Sequence, residues 1–220
     1  MYRLRSIKEE DFDFIIQQEA EVYPLENALT KKILKNWYLA EDSISDFGMV
    51  YENEDLSIVA FAIILPFNKK SFNLLTHGEI NELDSTFEDF TRKSSKEKET
   101  GLHFYHIHKF TDNIKRLYHV VLEDLSKIQQ KNQMKIIGCS ALAVSNSGIS
   151  LFYNTLNFSE RNENLNNEHL MIKNNEIVIV RTNEMKDIEK KIKEGYKYQR
   201  RCKFLVTYSN EISQVWTYFK

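Results

Sequence analysis

Ser57-Ile58-Val59-Ala60-Phe61-Ala62-Ile63-Ile64-Leu65 decides the fold class. From Ile58 to Leu65 odd and even positions are both apolar, so both faces of the strand this stretch forms must be covered. Such a strand belongs inside a sheet with other layers packed above and below. The run is also the longest apolar one in the chain and far short of the ~20 residues a membrane span needs.

On its N-terminal side, Phe47 to Glu52 is a second strand-like run, separated from the first by Asn53-Glu54-Asp55. That separator is turn chemistry and predicts a hairpin. Farther upstream, Tyr2 to Ile7 alternates with period 2, and Glu9-Glu10-Asp11 supplies the acids that suit a helix first turn. Phe12, Ile15, Ile16 and Glu19-Ala20 follow at helical spacing until Pro24, where a helix must stop. A second helix is expected from Leu29 to Leu39, with Ile33, Leu34 and Trp37 on one face.

Downstream, Asn68 to Thr100 reads as an irregular insertion holding one short helix near Thr86 to Lys93. Leu102 to Phe110 is a strand rich in aromatics and histidine. Thr111-Asp112 caps a long helix whose face is Ile114, Leu117, Val121, Leu125 and Ile128. A buried strand from Met134 to Val144, a helix from about Gly148 to Leu156, and strands at Phe158 to Asn162 and Glu168 to Lys173 complete residues 1–173. The rest, 174–220, predicts a strand (Ile177 to Arg181), a helix (Glu184 to Glu194) and strands Tyr196 to Tyr208 and Ser213 to Phe219. The expected class is α/β: a mixed central sheet flanked by helices over 1–173, with the insertion at about 68–100, and a small C-terminal α/β extension.

Composition supports an ordered chain. Of 220 residues 42% are hydrophobic, and there are only 6 glycines and 2 prolines, which leaves no room for linkers or low-complexity segments. The net charge of −2 advertises no affinity for nucleic acid or anionic lipid. The near-neutrality hides a difference: residues 174–220 hold ten bases against six acids, leaving 1–173 acidic. Cys139 and Cys202 are the only cysteines, too few for a disulfide framework. Met1-Tyr2-Arg3-Leu4-Arg5 lacks the apolar core of a signal peptide. The expectation is a soluble cytoplasmic protein with no membrane partner.

Two stretches go further. Arg5 on the first strand precedes Asp11 by six residues, at the entry to the first helix. Then Ser145-Asn146-Ser147-Gly148-Ile149-Ser150-Leu151-Phe152-Tyr153-Asn154-Thr155-Leu156-Asn157-Phe158 sets an Asn at a strand end, a Tyr seven residues later and an Asn-Phe pair beyond it. Together with the element order, these residues resemble the GNAT acyltransferase family, in which that pair is usually Gly-Phe. Asn157 replaces the glycine, and asparagine tolerates the left-handed conformation a helix C-cap needs.

The resemblance implies transfer of an acyl group, most simply acetyl, from acetyl-CoA to a small-molecule or peptide amine. It makes Tyr153 the residue that protonates the departing thiolate, chemistry a phenol of pKa near 10 can perform at neutral pH. It places Asn146 near the pantetheine. The family's phosphate loop, with two glycines, corresponds here to Thr111-Asp112-Asn113-Ile114-Lys115-Arg116-Leu117-Tyr118-His119, which has none. Asn113, Ile114, Lys115 and Arg116 remain as a helix N-terminus with two cations for the CoA phosphates. Leu117 and His119 stand where glycines are expected, which opens the alternative of a GNAT-like binding or regulatory module that has lost CoA. For the base, His106 and His108 alternate onto one face of the fourth strand, and Glu79 and Glu82 are alternatives.

Each residue also has a plainer role open to it: Tyr153 as a packed helix residue, Asn146 as an N-cap, the histidines as strand residues. His106-x-His108 has metal-ligand spacing, but no third ligand is nominated, and no metal is expected. Tyr196-Lys197-Tyr198-Gln199-Arg200-Arg201 interleaves aromatics and bases as single-strand binders do. In a slightly acidic chain a solvent-facing strand explains it better, and nucleic acid is not the expected partner. The apolar residues around it must pack on the sheet or at a subunit contact, which leaves a homodimer open.

Overall fold

The computed structural model describes residues 2–22, 29–39, 42, 45–110, 117–161, 167–174, 176–182 and 184–208. Among these, nine strands form one sheet: β1 (Arg3–Ser6), β2 (Gly48–Glu52), β3 (Ile58–Asn68), β4 (Glu99–Lys109), β5 (Lys135–Ala143), β6 (Ser159–Glu160), β7 (Asn167–Lys173), β8 (Glu176–Thr182) and β9 (Lys197–Tyr208). Their order is β1-β2-β3-β4-β5-β9-β7-β8, with β6 paired to β9. Only β4 and β5 run parallel. The helices are α1 (Phe12–Val22), α2 (Lys31–Leu34, continued by a π-helical turn over Lys35–Leu39), α3 (Lys69–Thr76), α4 (Leu117–Lys131), α5 (Asn146–Ile149) and α6 (Met185–Lys193).

β3 is the double-covered strand its composition demands, with Ala60 to Leu65 fully buried. Helices lie on both sides of it. On the face of Phe61, α1 sends Phe14 against Phe110, ring centroids 5.1 Å apart, and Glu19 to His106. On the other face, Tyr51 Oη donates to Asp124 of α4 at 3.2 Å, and Phe152 packs on Phe104. Arg5 and Asp11 form a two-pronged ion pair, Nη1 to Oδ2 at 2.6 Å and Nη2 to Oδ1 at 2.7 Å, while Asp11 Oδ2 also accepts from the Lys8 amide. One buried carboxylate thereby ties the first strand to the helix that follows it.

Three features go beyond the sequence-based reading. The helix of the 68–100 insertion is α3, capped by Asn68 Oδ1 accepting from the Ser71 amide at 3.0 Å; Phe87–Asp89 makes only a 3-10 turn. Phe72 of α3 needs room, and the register pair Gly101 and Gly138 provides it. A Cβ on Gly138 would lie 2.6 Å from the Phe72 ring, and one on Gly101 only 2.0 Å from it.

The second is the C-terminal strand, which takes the place on the sheet that the sequence left open for it: residues 203–208 of β9 pair with Gly138–Ala143 of β5, while its first half pairs with β7. The sheet therefore runs straight across the boundary drawn at residue 173, which falls inside the β7–β8 hairpin. Phe204, Leu205 and Val206 join the main core, while Met171, Val178, Ile188 and Tyr196 form a small second one. The third is a π-helical turn over Ser150–Thr155 where a regular helix was expected. The strand expected at Ser213 to Phe219 and the helix onset at Thr111-Asp112 lie outside the described residues. No described helix is long and apolar enough to cross a membrane.

Candidate functional site

β4 and β5 pair from Glu99/Lys135 to Phe104/Ala141 and no farther. Beyond that point they diverge, and a cleft of about 660 Å³ opens between them. Its walls are β4 from Phe104 to Lys109, β5 and the following turn from Leu142 to Ser145, the start of α4 at Leu117 and Tyr118, and the turn after α5. Phe104, Ile107, Leu142, Leu151 and Phe152 make it largely apolar. From Tyr105 onward β4 no longer pairs with β5 and forms a wall of the cleft.

A bulge shapes the β4 wall. The partners of β4 on β3 step from Phe104/Ile64 to His106/Ile63, which leaves Tyr105 as the extra residue. The bulge turns three histidines to one face: His103 opposite Leu65, His106 opposite Ile63 and His108 opposite Phe61. His106 and His108 both line the cleft, with rings 5.6 Å apart. His106 Nδ1 bonds Glu19 Oε2, and both side chains are buried, Glu19 completely. His108 stacks on Phe61 and packs on Phe110 at 4.6 Å. Burial and then the neighbouring His106 hold the His108 pKa below the usual imidazole value, so it is neutral at pH 7.

Tyr153 is placed elsewhere. The π-helical turn closes with the Leu156 amide on the Leu151 carbonyl, five residues back, and Phe158 on Phe152. One extra residue per turn rotates the side chains away from the phase that 3.6 spacing predicts. Ser150, Leu151, Phe152 and Thr155 reach the cleft, but Tyr153 is 46% exposed and does not line it, with Lys203 Nζ 4.9 Å from its ring centroid. Tyr105, which sequence reasoning did not single out, borders the gap itself.

Asn146 is the first residue of α5 and not its cap. That role falls to Ser145, whose Oγ accepts from the Gly148 amide at 3.0 Å. Ser145, Ser147 and Gly148 line the cleft; Asn146 does not. Asn157 has φ 55°, the left-handed conformation expected where the resemblance places a glycine. Asn113, Ile114, Lys115 and Arg116 lie outside the described residues.

A second cavity, about 340 Å³, lies behind the gap, against Glu79, Glu82, Arg161 and Arg181. A narrow pocket lined by Tyr105, Leu142, His103, Glu82 and Arg181 separates it from the cleft. Glu82 is buried, and burial alone would raise its pKa. Arg181, whose Nη2 donates to it at 2.8 Å, holds it below the ordinary carboxylate value instead. A carboxylate so stabilised is a poor base. His103 is fully enclosed, its Nδ1 2.9 Å from Ser140 Oγ, and burial lowers its pKa to about 4. Cys139 is equally enclosed, its thiol pushed up to about 12. Among the described residues no group of three His, Cys, Asp or Glu side chains converges as metal ligands would.

No protein-family model matches this chain, and no curated protein matches it in sequence. Its likeness is to solved structures. An Arabidopsis thaliana NAA60 in complex with acetyl-CoA superposes at a TM-score of 0.51 with 11% identity, over 95% of this chain and 100% of that one. Arabidopsis thaliana Naa50 in complex with the bisubstrate analogue CoA-Ac-MVNAL gives 0.50 and 10%, over 94% and 99%. A Drosophila melanogaster polyamine N-acetyltransferase that forms N-acetylagmatine gives 0.50 and 13%, over 95% and 100%. At these identities the likeness is one of fold.

Proposed function

We propose, for a chain that has the fold of the GNAT N-acetyltransferases, that it transfers an acyl group, most simply acetyl, from CoA to an amine by direct attack. The observation that carries this reading is the cleft where β4 and β5 part, with histidines on its wall. Its volume and apolar lining suit a pantetheine arm, and the length of β4 that has left β5 lies along it. The acyl donor would lie there; the resemblance implies Asn146 near the arm, where Ser145, Ser147 and Gly148 are the residues that line the cleft, and the phosphates at Asn113, Ile114, Lys115 and Arg116.

The acceptor must attack as a neutral amine, and a β4 histidine, His106 or His108, takes its proton. Attack on the thioester carbonyl carbon forms the C–N bond and an oxyanion, which hydrogen-bond donors lining the cleft would stabilise. Collapse breaks the C–S bond, and the thiolate leaves with a proton from a tyrosine. The resemblance implies Tyr153 for that step; its exposed position favours Tyr105, which borders the gap. The acceptor is a small-molecule or peptide amine.

The test is transfer from radiolabelled acetyl-CoA to a panel of diamines, amino acids and peptide N-termini, with thiol release followed in parallel. Label in one amine class, stoichiometric with thiol, supports the reading. Label in none, with donor intact, contradicts it. That second outcome would favour a binding or regulatory module, the reading motivated by the glycine-free stretch from Thr111 to His119.

A further inference from the structure

Glu19 is the oddest residue of α1. It falls on the apolar face begun by Phe12, Ile15 and Ile16, and its side chain is 0% exposed. Burying a carboxylate is costly unless its oxygens are all satisfied. Oε2 meets His106 Nδ1, but Oε1 is buried with no hydrogen-bond partner among the described residues. A leucine or methionine in its place would pack without that cost. Stability therefore does not explain the residue, whereas its one contact does. It reaches a histidine that lines the cleft, and it bonds that ring at Nδ1. His108, two residues on, is held by aromatic rings and bonds no carboxylate among the described residues.

We propose that Glu19 is a positioning residue that makes His106, and not His108, the base of the acyl transfer; this rests on the function proposed above. A carboxylate only accepts hydrogen bonds, so His106 Nδ1 must carry the proton and Nε2 holds the lone pair. Nε2 then takes one proton from the acceptor ammonium and leaves a neutral amine. The imidazolium so formed lies against the Glu19 carboxylate, which stabilises it. The amine nitrogen forms its bond to the thioester carbonyl carbon, the C–S bond breaks, the sulfur leaves as a thiol with the tyrosine's proton, and the tyrosinate regains a proton as the nitrogen sheds its second one. His106 returns its proton to solvent. No oxidant or further reactant is needed.

Two measurements test this, one independent of turnover. Long-range ¹H–¹⁵N correlation of the histidine rings, with His106 assigned through His106→Gln, should show the Nδ1–H tautomer in the native chain. In Glu19→Leu it should shift toward the Nε2–H form, in a protein that melts no lower than the native one. In steady state, Glu19→Gln should lower kcat by roughly 10–100-fold, part of the 10²–10⁴ a general base contributes, with the amine KM within about twofold. Glu19→Asp should recover some of the loss. An Nε2–H tautomer in the native chain, ring shifts unmoved by Glu19→Leu, or an unchanged kcat in Glu19→Gln would each overturn the proposal. Absence of any transfer by the native chain would instead sink the acyltransferase reading, and the ring shifts would still decide whether Glu19 positions His106.

Discussion

β4 and β5 lie side by side at one end and part at the other, and the two ends put their residues to opposite uses. At the closed end Gly101 faces Gly138, and the missing side chains let Phe72 of α3 settle onto the sheet. At the open end a bulge at Tyr105 and a π-helical turn at Ser150–Thr155 tilt the walls apart and leave a cleft with histidines on it. Close approach is achieved with glycine; opening is achieved with irregular backbone that needs none. In a chain with 6 glycines, two are committed to seating one aromatic ring.

Loading the closed end should produce the largest effect. Gly101→Ala forces a methyl into the Phe72 ring and should cost about 3 kcal/mol or more in urea unfolding, at the upper end for overpacking. Adding Phe72→Leu should recover part of the loss. A cost below about 1 kcal/mol would mean that the ring does not need the gap.

His103, paired with Ser140 near the end of the closed region, gives a pH test of comparable size. Its folded pKa of about 4 lies below the ordinary 6.5, so between those values the unfolded chain binds the extra proton. Stability is therefore full above about pH 6.5 and falls toward pH 4, by on the order of 3 kcal/mol for this one group. Comparing unfolding at pH 7 and pH 4.5 for the native chain and His103→Gln isolates the term, since the variant should lose less on acidification. Equal losses would remove His103 from the account.

At the open end, Tyr105→Phe should reduce turnover about 10²-fold, while Tyr153→Phe leaves it nearly unchanged. The reverse result would mean that the π-helical turn rearranges when substrate binds. The smallest effect is expected at Asn157, held at φ 55°. Glycine there relieves the left-handed strain and should stabilise by about 0.5 kcal/mol in thermal unfolding, whereas valine should destabilise. Stabilisation by both would contradict the conformation.

The parts of this comparison legible in the sequence are those governed by local pattern. Ile58 to Leu65 declared a central strand because apolar residues on both faces allow little else, and Arg5 and Asp11, marked in the sequence by their spacing alone, are joined in the structure by two hydrogen bonds. What stayed hidden depends on pairing or on irregularity. β9 joins β5 across some sixty residues of chain, a choice no short-range periodicity encodes. The bulge at Tyr105 has no glycine to mark it, so His103 could not be grouped with His106 and His108. The π-helical turn preserves the residue types of a helix while changing its phase, which moves Tyr153 off the cleft. Glu19 did leave a trace: a carboxylate at the i+7 position of an apolar helix face. Its partner lies 87 residues away, and only folding joins them.

Calorimetric titration of the native chain with acetyl-CoA, and with CoA as control, tests the central claim most directly, because everything assigned to the open end presumes that the cleft holds the acyl donor. The account predicts one site per chain with micromolar affinity for acetyl-CoA. No heat and no thermal stabilisation at millimolar acetyl-CoA would contradict it.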